Sequence, residues 1–218
     1  MKKLLLTLVL TMIFTTGCVK TDTIITFDNK GNAVVENNFL INKELGTYEK
    51  IDTIFEDIRP VDNENIKTEK TKITEDEMIG AKYTTAVPEL QQNDLKDVVR
   101  ILKPQGERLL TVEKNFFYDK YRLSGYIEGF KSEKTIDVNI NDLYQSKIRV
   151  KLPCKPKSHN AQTLISDKEL VWQIDYTKDN TISLEFILLN YLTIGLTTLA
   201  AVLLICLGVF IIKSKFRS

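Results

Sequence analysis

The chain has 218 residues with 30 basic and 29 acidic side chains, so its net charge is close to zero. All acidic residues lie between Cys18 and Ile212, where 25 basic and 29 acidic residues leave a net charge of −4. A mildly acidic domain binds nucleic-acid phosphates poorly, so nucleic acid is excluded as an expected partner. The three cysteines lie in three separate settings and predict no disulfide framework.

The N-terminus has the pattern of a secretory signal. Two lysines precede an apolar segment over residues 4–14 that is too short to span a bilayer. The stretch Thr15-Thr16-Gly17-Cys18 resembles a bacterial lipobox, in which the cysteine becomes diacylated. We predict a lipoprotein signal peptide at 1–17 and lipidation of Cys18. The alternative is an ordinary signal peptide cleaved near Gly17, which leaves Cys18 as a free thiol.

The first part of the predicted domain is a β-hairpin followed by a helix. Residues 21–27 and 32–41 predict two strands, and the intervening Asp28-Asn29-Lys30-Gly31 is typical of a tight turn with glycine at the position of positive φ. Apolar residues at three- and four-residue spacing then predict a helix over 43–58, which ends before Pro60. An apolar face of this kind is typical of a helix that packs on a core.

Strands and a short helix are expected in the next segment. Residues 66–73 predict an edge strand and residues 78–87 a further strand, and the acidic triplet 75–77 between them indicates a solvated turn. Asn93 is expected to cap a short helix with one apolar face. That face consists of Leu95, Val98, Val99 and Leu102.

Aromatic side chains are concentrated between residues 108 and 130. The pattern predicts a second hairpin with strands over 108–118 and 122–130 around a turn at Asp119 and Lys120. Aromatic residues in such strands either fill a core or line an apolar cavity suited to an acyl chain, and both interpretations remain open. The candidate lining residues are Phe116, Phe117, Tyr118, Tyr121, Tyr126 and Phe130.

The last strands lead directly into the most apolar part of the chain. Residues 170–176 and 181–188 predict a third hairpin around a turn at 178–180. Residues 191–212 carry no charge, and at 1.5 Å per residue they form a helix of roughly 33 Å, long enough to cross a bilayer core. Because the first strand begins just after Cys18 and the last strand ends at this helix, we predict that both ends of the domain lie at the membrane. The two strands are then expected to be neighbours in one sheet or to flank it.

The basic residues Lys213, Lys215 and Arg217 follow the apolar segment and favour the cytoplasmic side. The predicted organisation is a signal peptide at 1–17, an extracytoplasmic domain at 18–189, a transmembrane helix at 190–212 and a cytoplasmic tail at 213–218. The expected fold class is α+β, with an antiparallel sheet built from hairpins, two helices packed on it and one C-terminal transmembrane helix.

Residue types that support catalysis or metal binding are scarce. His159 is the single histidine, and Cys154 is the one cysteine near it in sequence. A zinc site needs three or four protein ligands, so we expect no metal, no cofactor and no catalytic residue. A nucleophile and base pair formed by Cys154 and His159 is the enzymatic alternative, and a solvated basic loop near lipid headgroups is favoured over it.

Two groups of short motifs resemble the LppM domain family of bacterial envelope lipoproteins. The first is Gly17-Cys18-Val19-Lys20 followed by the turn at 28–33. The second is Asn160-Ala161 followed by Leu170-Val171-Trp172 and a strand over 181–186 that leads into a membrane helix. The resemblance implies a membrane-anchored α+β domain that binds lipid and takes part in envelope interactions, and it carries over no catalytic residue.

Two functions therefore remain as hypotheses. The first is a non-enzymatic, membrane-anchored envelope lipoprotein whose exported domain binds membrane lipids or other envelope components. The second is a structural or adaptor subunit that pairs with another membrane protein through its helix, where Thr197, Ala201 and Gly208 offer small residues for close packing.

Overall fold

The computed structural model describes residues 18–62, 66–90, 94–130 and 140–215. The predicted signal peptide and Asn93 lie outside these residues. The strands are, in chain order, β1 (Val19–Phe27), β2 (Ala33–Asn42), β3 (Thr68–Glu75), β4 (Met78–Val87), β5 (Lys103–Pro104), β6 (Leu110–Lys114), β7 (Tyr118–Ile127), β8 (Tyr144–Lys151), β9 (Ser158–His159), β10 (Thr163–Ser166), β11 (Glu169–Gln173) and β12 (Asn180–Leu189). The α-helices are α1 (Ile51–Ile54), α2 (Ile140–Leu143) and α3 (Tyr191–Lys215).

The strands form two sheets instead of the single antiparallel sheet that was predicted. The first sheet has the order β10-β11-β8-β1-β2-β4-β3, and the second has the order β5-β7-β12-β9, with β6 also paired to β7. All neighbouring strands are antiparallel except β1 and β8, which are parallel. The mixed α+β class is confirmed. The prediction of two helices packed on the sheet is wrong, because the first of the two segments contains a 3₁₀ turn and the four-residue α1, and the second contains one 3₁₀ turn.

Large side chains from both sheets meet in one core. The ring centroids of Phe27 on β1 and Phe186 on β12 are 5.0 Å apart, and Tyr121 on β7 stacks on Phe186 at 4.8 Å. Because strand side chains alternate between the two faces, every second residue of these strands points into the core. The described part of the chain therefore forms a sandwich with its core between the sheets.

The first hairpin is confirmed almost residue by residue. Strands β1 and β2 pair from Val19 with Ile41 to Phe27 with Ala33, and Asp28 accepts hydrogen bonds from the turn through its carboxylate. Gly31 has a φ of +79°, as its place in the turn predicts. A Cβ atom at this position would also meet the hydroxyl of Tyr121.

Replacement of Gly31 by alanine is expected to lower the free energy of unfolding by about 1–2 kcal/mol, because an L side chain in the left-handed region is strained. Gly106→Ala is the matched control, since a Cβ atom there meets nothing within 4 Å. Thermal or chemical unfolding of both variants measures the difference. Equal stability of the two would show that the turn adapts without cost.

The predicted helix over 43–58 is wrong. One 3₁₀ turn (Tyr48–Lys50) and α1 are all that is helical there. Ile51 and Phe55 pack on Phe39 and its neighbours, whereas Leu45 is 57% exposed, so the apolar spacing does not form one continuous buried face. Threonine and isoleucine also have low helix propensity.

The second predicted helix is also reduced to a single turn. Asp94 caps a 3₁₀ turn, Leu95–Asp97, and accepts a hydrogen bond from the amide of Lys96. All four residues of the predicted apolar face are nevertheless buried. The pattern therefore predicted which side chains enter the core but not the length of the helix.

The predicted hairpin between the last two strands does not form. Strand β11 pairs with β8 in the first sheet, and β12 pairs with β7 in the second. The connection is held by side chains: Asn180 exchanges hydrogen bonds with the backbone of Asp175, and the Asp175 carboxylate accepts from Thr177 and Asn141. These bonds stabilise a crossing between the sheets in place of the predicted hairpin turn at 178–180.

Strands β1 and β12 are likewise not neighbours, which contradicts the prediction. They lie in different sheets and run in the same direction. Near their C-terminal ends, Phe27 of β1 contacts Phe186 of β12. Near their N-terminal ends, Val19 of β1 lines the same cavity as Ile127, which pairs with Asn180 of β12. Cys18 therefore lies at the opposite end of the domain from the start of α3. Nine residues of strand separate the two ends, or about 30 Å.

Candidate functional site

An open cavity of about 490 Å³ lies where the second sheet ends and the segment containing α1 begins. Both elements cover the same face of the first sheet, the second sheet over Ile25 and Phe27 and the α1 segment over Phe39 and Ile41. The cavity occupies the gap between these two coverings. Its apolar and aromatic lining consists of Val19, Ile54, Phe55, Ile58, Ile101, Ile127, Phe130, Tyr144 and Tyr176.

Three aromatic side chains from distant parts of the chain form one wall. Phe130 lies 5.7 Å from Tyr144 and 5.4 Å from Tyr176 between ring centroids, and the two tyrosine rings are 6.2 Å apart. The backbone amide of Phe130 donates a hydrogen bond of 2.8 Å to the carbonyl of Tyr176. This bond positions the end of β7 against the crossing that follows β11.

Charged groups surround the apolar lining. Lys103 and Glu128 form an ion pair of 2.6 Å, and Asp57 lies nearby. The guanidinium of Arg100 donates to the carbonyls of Glu56 and Arg59 at 3.1 and 3.2 Å. These backbone bonds hold a positive charge in a defined place at the cavity wall.

Small polar groups lie on the side of the cavity formed by the first sheet. The hydroxyl of Thr21 donates to that of Ser146 at 2.7 Å, and both residues are buried. Burial raises the pKa of Tyr176, and its hydrogen bonds with Ser146 and Thr21 partly oppose that shift. Tyr176 therefore remains a neutral phenol at physiological pH and offers a hydroxyl without adding charge.

The six predicted lining residues are dispersed. Phe130 lines the cavity, and Tyr121 is buried in the core against Phe186. Tyr118 and Tyr126 are half-buried along β7. Phe116 and Phe117 form the turn between β6 and β7, three residues before the predicted turn, and are 65% and 48% exposed.

The structure adds lining residues that the sequence did not indicate. Tyr144 and Tyr176 are 14 and 46 residues away from Phe130 in sequence, and neither lies in an aromatic-rich segment. Ile58 and Ile101 come from segments that were predicted as helices with core-facing residues. No local pattern marks any of these four as part of a cavity.

Cys154 and His159 are engaged in structural contacts. The thiol of Cys154 donates to the carbonyl of Ile187 at 3.3 Å, and burial raises its pKa. His159 lies on β9, and its Nδ1 accepts from the amide of Ala161 at 3.2 Å. A nucleophilic cysteine needs a lowered pKa, so this environment does not favour thiolate chemistry.

The C-terminal helix α3 follows β12 after the single residue Asn190. Its segment Tyr191–Gly208 has a mean hydropathy of 2.1, and none of it is buried inside the protein. Asn190 caps the helix by accepting a hydrogen bond of 3.1 Å from the amide of Thr193. By length and composition this helix could cross a membrane.

The described fold is similar to that of a known protein domain. The folded domain of LppM from Mycobacterium tuberculosis, solved by NMR, matches with a TM-score of 0.52 at 14% sequence identity, over 82% of this chain and 95% of that one. No family model matches the chain, and no curated protein matches it in sequence. The expectation of an LppM-like architecture is confirmed at the level of the fold, which this chain shares with the LppM domain.

Proposed function

We propose that this protein is a non-enzymatic, membrane-anchored envelope lipoprotein whose exported domain binds an acyl chain of a lipid in the cavity beside Val19. The observation that carries the proposal is the cavity itself: an opening of about 490 Å³ with an apolar and aromatic lining. Pockets that bind small ligands commonly have volumes of about 300–1,000 Å³ and similar linings.

The charged groups around the apolar lining favour binding of an amphiphile, with a polar head and an apolar chain, over binding of a purely apolar ligand. An acyl chain would lie against Phe130 and Ile127, with its polar head near Arg100 and Lys103. Because Glu128 neutralises Lys103, the Arg100 guanidinium is the better candidate to contact a phosphate or carboxylate.

The membrane location is supported by the exposed apolar surface of α3. We infer that α3 crosses the bilayer, that the tail after it is cytoplasmic, and that acylated Cys18 is a second attachment. The two attachments belong to opposite ends of the domain. When both attachments hold the domain to one bilayer, each end of the domain faces lipid. The end near Cys18 is the one that carries the cavity.

Filling the cavity is expected to reduce lipid capture. The entire chain is reconstituted in phosphatidylcholine vesicles that contain a fatty acid with a photoactivatable diazirine at its chain end, and crosslinked peptides are identified by mass spectrometry. Val19→Trp is expected to lower the crosslinking yield on peptides with Ile101 and Phe130 by about tenfold, equivalent to about 1.4 kcal/mol of binding.

Val34→Trp is the matched control, because Val34 is 41% exposed on the outer face of β2. Its yield is expected to equal that of the parent chain. Crosslinks confined to α3 in the parent chain would contradict lipid binding by the cavity.

A further inference from the structure

The turn between β6 and β7 is an exposed apolar feature that the cavity does not use. Phe116 and Phe117 form the tip of this turn, with ring centroids 5.0 Å apart in an edge-to-face arrangement. They are 65% and 48% exposed, although phenylalanine is usually buried. The tip is ordered by the backbone, since the amide of Asn115 donates to the carbonyl of Tyr118 at 2.8 Å.

The tip is attached directly to the start of α3. The backbone amide of Asn190 donates a hydrogen bond of 2.8 Å to the carbonyl of Phe117. Leu189 and Tyr191, on either side of Asn190, are 49% and 76% exposed. The two phenylalanines therefore belong to one apolar surface that continues into the helix.

We propose that the Phe116–Phe117 turn is a second membrane contact, in which both rings enter the interfacial layer of the bilayer that holds α3. The inference rests on the proposed transmembrane position of α3. Tyrosine is enriched at this level of a bilayer, and phenylalanine is typical of apolar surfaces that enter the interfacial layer. Because α3 begins at Tyr191, the Phe117 carbonyl that is bonded to Asn190 lies at the membrane surface. The occupant of the exposed surface is thus lipid and not a protein partner.

Polar groups at the same end suit the headgroup layer. A shallow pocket of about 250 Å³ beside the start of α3 is lined by residues from the β1–β2 turn, β7 and the end of β12, among them Asn29, Lys30 and Asp119. Lys30 is exposed and can meet a lipid phosphate while the aromatic tip lies deeper. The turn and the pocket together form a membrane-facing surface around the root of α3.

The test measures how deeply each end of the domain reaches into lipid. The entire chain carrying Cys18→Ser, so that α3 is its sole proposed anchor, is reconstituted in phosphatidylcholine vesicles with brominated acyl chains. Phe116→Trp is compared with Leu45→Trp, a site of similar exposure that lies outside the cavity lining. Leu45 follows the end of β2 that pairs with Val19, about 30 Å along the sandwich from the turn. The chain without either change supplies the background of the buried Trp172.

The Phe116→Trp chain is expected to lose most of its added fluorescence to bromine quenching and to emit at shorter wavelength, while the Leu45→Trp chain keeps its emission. An unquenched Phe116→Trp signal overturns the inference and leaves the crosslinking result for the cavity untouched. Equal quenching at both sites also overturns it, because contact would not be specific to the turn. A chain that does not float with vesicles overturns the transmembrane helix and this inference together.

Discussion

Trp172→Ala is expected to lower the free energy of unfolding by about 3–5 kcal/mol, the typical cost of deleting a large buried aromatic side chain. Trp172 on β11 is 1% exposed and lies in the core between the sheets. Its indole Nε1 donates to the side-chain carbonyl of Asn160 at 2.8 Å. Because the same oxygen accepts from the amide of Ser183 on β12, Trp172 and Asn160 link the first sheet to the second.

The measurement is chemical unfolding followed by far-ultraviolet circular dichroism, since Trp172 is the single tryptophan of the chain. Trp172→Phe keeps most of the apolar contact and separates the loss of the hydrogen bond, about 0.5–1.5 kcal/mol, from the loss of packing. A cost below about 1 kcal/mol for the alanine variant would contradict a central role in the core.

Deletion of residues 191–218 is expected to leave the chain in the membrane fraction as long as Cys18 is acylated. The same deletion combined with Cys18→Ser is expected to release it completely. Each buried methylene of an acyl chain contributes about 0.8 kcal/mol, so a diacylated cysteine suffices as an anchor. Ultracentrifugation of membranes, with the mass of the N-terminal peptide determined in parallel, measures both outcomes.

Cys154→Ser is the control for the cysteine change, because Cys154 lies in the loop after β8 and is not part of the lipobox-like stretch. Release by the helix deletion alone would show that Cys18 is not acylated. Membrane retention of the doubly changed chain would reveal a third attachment. With Cys18 acylated and α3 intact, the end of the domain that carries Leu45 is also held at the bilayer, so the Leu45→Trp variant becomes accessible to brominated lipid.

Local patterns in the sequence were sufficient for elements whose partners are adjacent in the chain. The β1–β2 hairpin needs Asp28 and Gly31 for its turn, and both requirements are visible in the residues themselves. The strand at 78–87 and the apolar helix α3 follow from alternation and from an uncharged run in the same way. Asn160 and Trp172, both from the second group of motifs that resembles a known family, are in direct contact.

Strand pairing could not be predicted in the same manner. The sequence predicts β11 as the first strand of a hairpin, but β11 pairs with β8. The hydrogen bonds between Asp175 and Asn180 direct the following chain to the other sheet. The turn at Phe116 was misplaced by three residues for a related reason: the register of β7 follows the inward positions of Tyr121 and Leu123 against the core. Contacts between segments distant in sequence decided both cases, through strand pairing in the first and through packing against the core in the second.

The residue pattern alone is sufficient to recognise the apolar C-terminal helix, a β-rich domain of mixed class and the lipobox-like stretch ending at Cys18. The folded chain is needed to see that Cys18 and α3 belong to opposite ends of the domain, and that Phe130 meets Tyr144 and Tyr176 beside a cavity. The reason is physical. Hydropathy and turn chemistry act over a few residues. The cavity instead forms where the second sheet and the α1 segment, which cover the same face of the first sheet, do not meet.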